Sequence, residues 1–244
     1  MTMRQVLLIV GRELEAFFTT WMGYIITAAA LIISGMLFMA YAVEGEKYSA
    51  AVLADFFYFT SGIGMVASIF LAMRLFAEER QTGTIVLFYT SPISERKMIY
   101  GKFIGALIVF FLIQLLSVYM PLLILIRGKI SFGHLAAGYL GCTLLGASVI
   151  SMALFASVIA PNQLISGVLG AFIVVTFLIM WMLADVVDDP FRDLFQYLAI
   201  HNRHFTPFSN GMVHTKDVVF YLSVLVFFLE CSVRTLQMRR WQGQ

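Results

Sequence analysis

FGHLAAGYLGCTLLGASVISMALFASVIAPNQLISGVLGAFIVVTFLIMWMLA, residues 132–184, contains no Asp, Glu, Lys or Arg. Its two apolar runs, 132–160 and 163–184, each exceed the roughly 20 residues of helix that about 30 Å of hydrocarbon requires. Lipid offers no partner to backbone N–H and C=O groups, and each run is far longer than a barrel strand, so both are predicted to be helices. The link Ala160-Pro161-Asn162-Gln163 is very short. Proline disfavours helix at the residue before it and suits a helix start, so the turn makes the two helices antiparallel neighbours.

Outward from this hairpin the pattern repeats. Runs at 21–43, 52–76, 101–126 and 218–236 bring the predicted spans to six. The whole chain, 244 residues, is 61% hydrophobic and only 12% charged, against about 25% charge in a soluble domain. Its mean hydropathy is +0.90. The fold class is therefore an all-α integral membrane protein, one transmembrane domain over 1–244. A net charge of +2 gives no reason to expect nucleic acid. Cys142 and Cys231 lie inside apolar spans and imply neither a disulfide framework nor a metal site. Thr27-Ala28-Ala29-Ala30 resembles a cleavage site, but the apolar run continues to Val43, which predicts a retained span. The sequence shows no internal repeat.

Lys and Arg set the orientation. Arg4, Arg12, Arg74, Arg80, Arg96, Lys97, Lys102, Arg234, Arg239 and Arg240 fall on one side; Lys47, Arg127, Lys129, Arg192, Arg203 and Lys216 fall on the other. Ten against six places both termini and the segment around 77–100 in the cytoplasm by the positive-inside rule, with acids such as Asp185, Asp188, Asp189 and Asp193 outside.

Three segments do not span. Residues 4–20 have Val6, Ile9, Val10, Leu14, Phe17 and Phe18 at helical spacing with Arg12, Glu13 and Glu15 elsewhere, which predicts an amphipathic helix along the inner leaflet. Residues 77–103 carry Glu78, Glu79, Arg80, Glu95, Arg96, Lys97 and Lys102; at about 2.5 to 3.5 kcal/mol per buried charge this segment must meet water or another protein. Within it, Thr84 to Tyr89 can form a short transverse helix with Ile85, Phe88 and Tyr89 on one face, after Gly83; Ser91-Pro92 ends it and Ser94 caps the helix that follows. Residues 185–217 are extracytoplasmic, and their apolar run from Phe191 to Ile200 is too short to span and suits a re-entrant helix.

Enzyme chemistry is poorly provided for. There is no G-x-x-x-x-G-K-[ST] loop, so the chain binds no nucleotide of its own. Glu78-Glu79 lacks the later arginine and intramembrane histidines of a glutamate-dependent membrane protease, and Arg74 with Glu78 has the i,i+4 spacing of a simple pair. His201-x-x-His204, near Asp188, Asp189 and His214, has ligand-like spacing, yet hydrated loop residues are the commoner reading. Glu230 stands one turn before Arg234 near a helix end, as a paired, snorkelling residue does. Gly101-x-x-x-Gly105 permits close helix approach. No catalytic set and no metal set is assigned.

The 77–103 stretch resembles the coupling segment of type-2 ABC exporter permeases in Glu78-Glu79-Arg80, Gly83-Thr84, Leu87, Thr90-Ser91-Pro92-Ile93-Ser94 and Gly101-Lys102. GRELEAFFTTWMGYI (11–25) and HFTPFSNGMVHTKDVVFYLSVLVFFLECSVRTLQMRRW (204–241) are similar to the gliding-motility-associated branch of those permeases. The resemblance implies a multi-pass subunit of the bacterial inner membrane that pairs with a second permease half, identical or not, and with two ABC ATPase subunits that hold the ATP and Mg. The ATPase-coupling residues it implies are Glu78, Glu79, Arg80, Gly83, Thr84, Ile85, Leu87, Phe88, Ser91, Pro92 and Arg96. Phe191, Phe195 and Leu198 form an outer gate in a transporter, or a docking plate for an extracytoplasmic partner if the chain only transmits ATPase motion. A transporter needs a cavity at its dimer seam, whereas a transducer can be packed solid with side chains such as Phe172, Phe177 and Met180.

Overall fold

The computed structural model describes residues 2–42, 48–85, 93–126 and 129–242. Among them there is helix and no strand. The elements are α1 (Thr2–Thr19), α2 (Trp21–Leu37) continued by a π turn (Phe38–Ala42), α3 (Ser49–Ala72), α4 (Ala77–Gln81), α5 (Glu95–Ser117), α6 (Tyr119–Leu122) with a 3-10 turn (Leu123–Ile126), α7 (Phe132–Ile159), α8 (Gln163–Ala184), α9 (Phe191–Leu198), α10 (Thr206–Ser209) and α11 (Thr215–Gln242). Six helical stretches are long and apolar enough to cross a membrane: Trp21–Ala40, Ser49–Gln81, Glu95–Leu125, Phe132–Ile159, Gln163–Ala184 and Thr215–Arg239. These are the six spans expected from hydropathy.

The bundle is built around α7. In its central stretch 78% of residues are buried, against 22 to 50% in the other five spans. The cause is side-chain size, because small residues let neighbouring backbones approach. Three glycines each receive an aromatic ring from a different element. A Cβ on Gly138 would lie 2.2 Å from the Phe57 ring of α3, one on Gly141 2.4 Å from Phe208 of α10, and one on Gly146 2.1 Å from Phe110 of α5. On the remaining side Ser148 Oγ donates to the Tyr221 carbonyl of α11 at 3.1 Å.

α7 and α8 reverse at the predicted turn. Asn162 Oδ1 accepts from Ile165 N at 2.9 Å and caps α8. The second span, predicted as one helix to residue 76, breaks between Ala72 and Ala77. Ser157 of α7 stitches that break: its Oγ accepts from Phe76 N and Ala77 N, both at 3.0 Å, and donates to Met73 O at 3.0 Å. One hydroxyl thereby satisfies three backbone groups that lipid could not. The third span bends after Ser117, where Pro121 has no N–H to give the carbonyl one turn back.

α1 forms where the amphipathic helix was predicted. Its apolar side, with Ile9, Val10, Leu14 and Phe17, turns onto the protein and packs along α5. Arg4, Leu7, Leu8, Arg12, Glu15 and Phe18 face outward. Gly101 and Gly105 form the groove for it, since a Cβ at either would lie 2.8 to 2.9 Å from Ile9 or Glu13. The Gly101-x-x-x-Gly105 pattern thus serves an internal contact.

Candidate functional site

Those of the expected coupling residues that are described, Glu78 to Ile85 and Arg96, gather at the end of the bundle that carries α4. Glu78 stays at the surface and pairs with Arg74 at 3.5 Å, as the i,i+4 spacing predicts. Glu79, one residue on, points the other way. Its Oε1 accepts from Lys102 Nζ at 2.8 Å, and the same ammonium donates to Glu13 Oε1 at 2.7 Å. Lys102 is only 2% exposed, lies 5.1 Å from the centroid of the Phe76 ring, and so joins three elements, α1, α4 and α5, in one charged knot. Arg12 approaches Glu79 Oε1 at 3.9 Å from the outer side. Glu79 Oε2 is buried without a hydrogen-bond partner.

Arg80 reaches a different helix. Nη1 donates to Ala160 O at 2.6 Å and Ile159 O at 3.2 Å, and Nη2 donates to Val158 O at 2.8 Å. A helix end leaves its last carbonyls without intrahelical donors and carries partial negative charge, so a guanidinium there is both a cap and a counterion. Arg239 of α11 adds a second donor to Ile159 O at 2.8 Å.

After α4 the chain turns at Gly83, whose φ of +74° lies in the left-handed region where other residues are strained. Thr82 Oγ1 donates to Glu78 O at 3.0 Å, and Thr84 Oγ1 lies 3.3 Å from Glu79 O, covering carbonyls at the end of α4. Ile85 is 9% exposed, where an outward apolar face was expected of it. Leu87, Phe88, Tyr89, Ser91 and Pro92 lie outside the described residues. Arg96, at the start of α5, is exposed and pairs with Glu230 of α11 at 3.2 Å; Tyr100 Oη donates to the same carboxylate at 3.3 Å. Glu230 therefore bonds across to α5 and not, among the described residues, to Arg234 one turn along its own helix.

At the opposite end, Phe191 to Leu198 form α9, which runs back along α8. Phe191 is exposed, while Phe195 and Leu198 are half-buried. The segment is tied down just after them. Ile200 N donates to Phe177 O of α8 at 3.3 Å, and Tyr221 Oη of α11 donates to Ile200 O at 2.8 Å. Phe177 is seven residues short of Ala184, so the chain comes in about 10 Å from the end of α8.

The two imidazoles of His201-x-x-His204 diverge. His201 Nε2 bonds Ser61 Oγ of α3 at 2.8 Å. Since the Ser61 hydroxyl donates to Tyr58 O at 2.7 Å, the imidazole is the donor in that bond. Burial pushes the His201 imidazole below its usual range, against a smaller raising effect of its bond to Asn202. His204 stacks on Phe220 with centroids 3.8 Å apart. Its Nε2 lies 2.9 Å from Tyr197 O and its Nδ1 2.7 Å from Asp217 Oδ1. A carbonyl can only accept, so Nε2 carries a proton. These groups fasten the segment after α9 to α3 and α11; among the described residues no three His, Cys, Asp or Glu side chains converge on a common point.

A groove of about 850 Å³ runs between α3 and α8, lined by Met65, Ile69, Gly167, Ala171 and Val175, with Gln81 and Gln163 at its α4 end. Phe172 faces out of α8 at 70% exposed, whereas Phe177 packs inward 6.1 Å from Phe228.

Six apolar spans packed through a small-residue centre, with the ion pairs among the described residues at the two ends, define a multi-pass membrane protein. A family model described as ABC-2 family transporter protein matches residues 44–213, and the chain belongs to that family. It is the membrane permease component of an ABC transporter, distinct from the ATPase subunits with which such permeases work. The matched stretch takes in α3 to α10 and leaves α1, α2 and α11 outside. No curated protein matches the chain.

Glu13 and Ser157 were not legible as site residues. Glu13 sits among polar residues on a helical wheel, and only its 2.7 Å contact with Lys102 reveals its use. Ser157 looks like one more small residue of an apolar span.

Proposed function

We propose that the chain is the permease half of an ATP-driven exporter of a bacterial inner membrane, with both termini and α4 cytoplasmic and α9 outside. The segment 77–100 transmits motion from an ATPase that itself holds the ATP and Mg. The observation that carries this reading is the attachment of α4, through Arg80 and Ser157, to the C-terminal end of the central helix α7. A push on the segment therefore acts on the axis of the bundle. α2 and α8 are the least buried spans, at 28% and 22%, and supply the apolar faces on which a second permease half, identical or homologous, would close. The groove between α3 and α8 favours transport over pure mechanical relay, because a relay needs no cavity. α9 would then sit in the outer leaflet at the rim of the seam, with Phe191, Phe195 and Leu198 as its gate. The resemblance of residues 11–25 and 204–241 supports membership of the gliding-motility-associated branch of those permeases.

The test is partner binding. Leu87→Asp with Phe88→Asp replaces apolar contact, worth roughly 25 cal/mol per Å², with desolvated charge. The variant should insert in the membrane and lose its ATPase in a pull-down; retained binding would overturn the assignment. If ATP hydrolysis drives a bound outer protein while no solute or lipid crosses reconstituted vesicles, the relay reading replaces export.

A further inference from the structure

α1 is attached to the coupling end by more than apolar packing. Its Glu13 is turned inward, 13% exposed, onto an ammonium that is itself 2% exposed and also bonded to Glu79 of α4. The groove of Gly101 and Gly105 allows no Cβ beneath Ile9 and Glu13, so α1 has one seating, fixed by shape and by charge together. Two carboxylates sharing one buried ammonium are interdependent, since moving either changes the balance at the other. Glu79 Oε2 has no donor here, and the Arg12 guanidinium, on the same helix as Glu13, stands 3.9 Å from the neighbouring oxygen. A small advance of α4 toward α1 would bring that donor into reach.

We propose that Glu13 is a positioning residue for coupling: through Lys102 it keys the amphipathic helix α1 to α4, so that α1 travels with the coupling segment and is not a float anchored in the leaflet. The inference rests on the coupling reading above, and its test separates the two. The full chain, in complex with its co-purifying ATPase in nanodiscs, carries pairs of nitroxide labels at Gly11 and Gln81, or at Gln81 and Arg234. Gly11 has open space for a label, and Gln81 and Arg234 are exposed. Distances are read without nucleotide and after trapping with ATP and vanadate.

The expected result is that trapping shifts the 81–234 distance while the 11–81 distance keeps its value and width. Glu13→Ala should broaden the 11–81 distribution at least twofold and lower coupled ATP turnover several-fold with assembly intact. Glu13→Gln, which keeps an acceptor oxygen for Lys102, should restore most of both. If the 81–234 distance does not respond to trapping, the coupling reading fails and this inference with it. If that distance responds but 11–81 shifts as well, or if Glu13→Ala leaves 11–81 unchanged, α4 couples without α1 and the keyed helix is wrong.

Discussion

Arg80 Nη1 donates a 2.6 Å hydrogen bond to the carbonyl of Ala160, the residue that ends α7. Arg80 belongs to α4 and Ala160 closes the central helix, so one side chain joins α4 to the axis of the bundle. Replacing Arg80 with Ala should cost about 1 to 2 kcal/mol, since bonds to a charged donor are lost but water can reach part of the site. Arg80→Lys, with no planar fork, should recover less than half of this. Thermal unfolding in detergent measures the stability, and ATPase pull-down should show binding retained by both variants.

Gly83 tests backbone conformation apart from packing. A Cβ there meets nothing within 4 Å, so the only penalty of Gly83→Ala is the left-handed φ of +74°, about 1 to 2 kcal/mol. Coupled transport should fall while the spans remain intact, as read by protease protection of the membrane bundle. An unchanged ratio of transport to ATP hydrolysis would show that this turn has no part in coupling.

Gly146 tests the centre. Its hydrogen faces the Phe110 ring, and a methyl group would arrive 2.1 Å from a ring carbon. Gly146→Val should destabilise the bundle by about 1 to 3 kcal/mol or more through overpacking. Adding Phe110→Leu should recover part of that loss, which a double-mutant cycle in mild denaturant would measure.

His201 predicts a pH response of the outer segment. Its folded-state pKa lies below the usual imidazole value of 6.5, so the unfolded segment takes up a proton before the folded one does. Stability from this residue is intact above about pH 6.5 and declines as pH falls through the interval below it. Once the intrinsic slowing of amide exchange at lower pH is divided out, opening around residues 199–205 should increase between pH 7 and 5 in the wild type. The increment should vanish in His201→Gln.

Orientation is checked by labelling. Val186, 84% exposed, should react as a cysteine with an impermeant reagent in intact cells, whereas Ser94→Cys should react only after lysis. The reverse pattern would invert the topology.

What the sequence made legible follows the range of the forces it encodes. Hydropathy placed six spans to within a few residues, since the lipid requirement acts on each segment alone. The Arg74–Glu78 pair was visible because its partners are one turn apart. Glu230 was not read correctly: Arg234 is its neighbour in sequence, yet Arg96 of α5 is its partner at 3.2 Å. The same limit hid Glu13 and the burial of Ile85, since amphipathic spacing shows that a helix has an apolar face but not whether lipid or protein covers it. At the far end, the spacing of His201 and His204 did not reveal their use, because their imidazoles bond Ser61 of α3 and Asp217 of α11, which only the assembled fold brings near.

Ser157 and Gly141 lie on one helix, sixteen residues and about 24 Å apart. The first holds the break in the second span and the second receives Phe208 of the outer segment. On the coupling reading proposed above, α7 acts as a pushrod: a packed helix stores little compression along its length, so displacement at one end is delivered at the other. A loop inserted within α7 would silence the two ends to each other while leaving each one properly built.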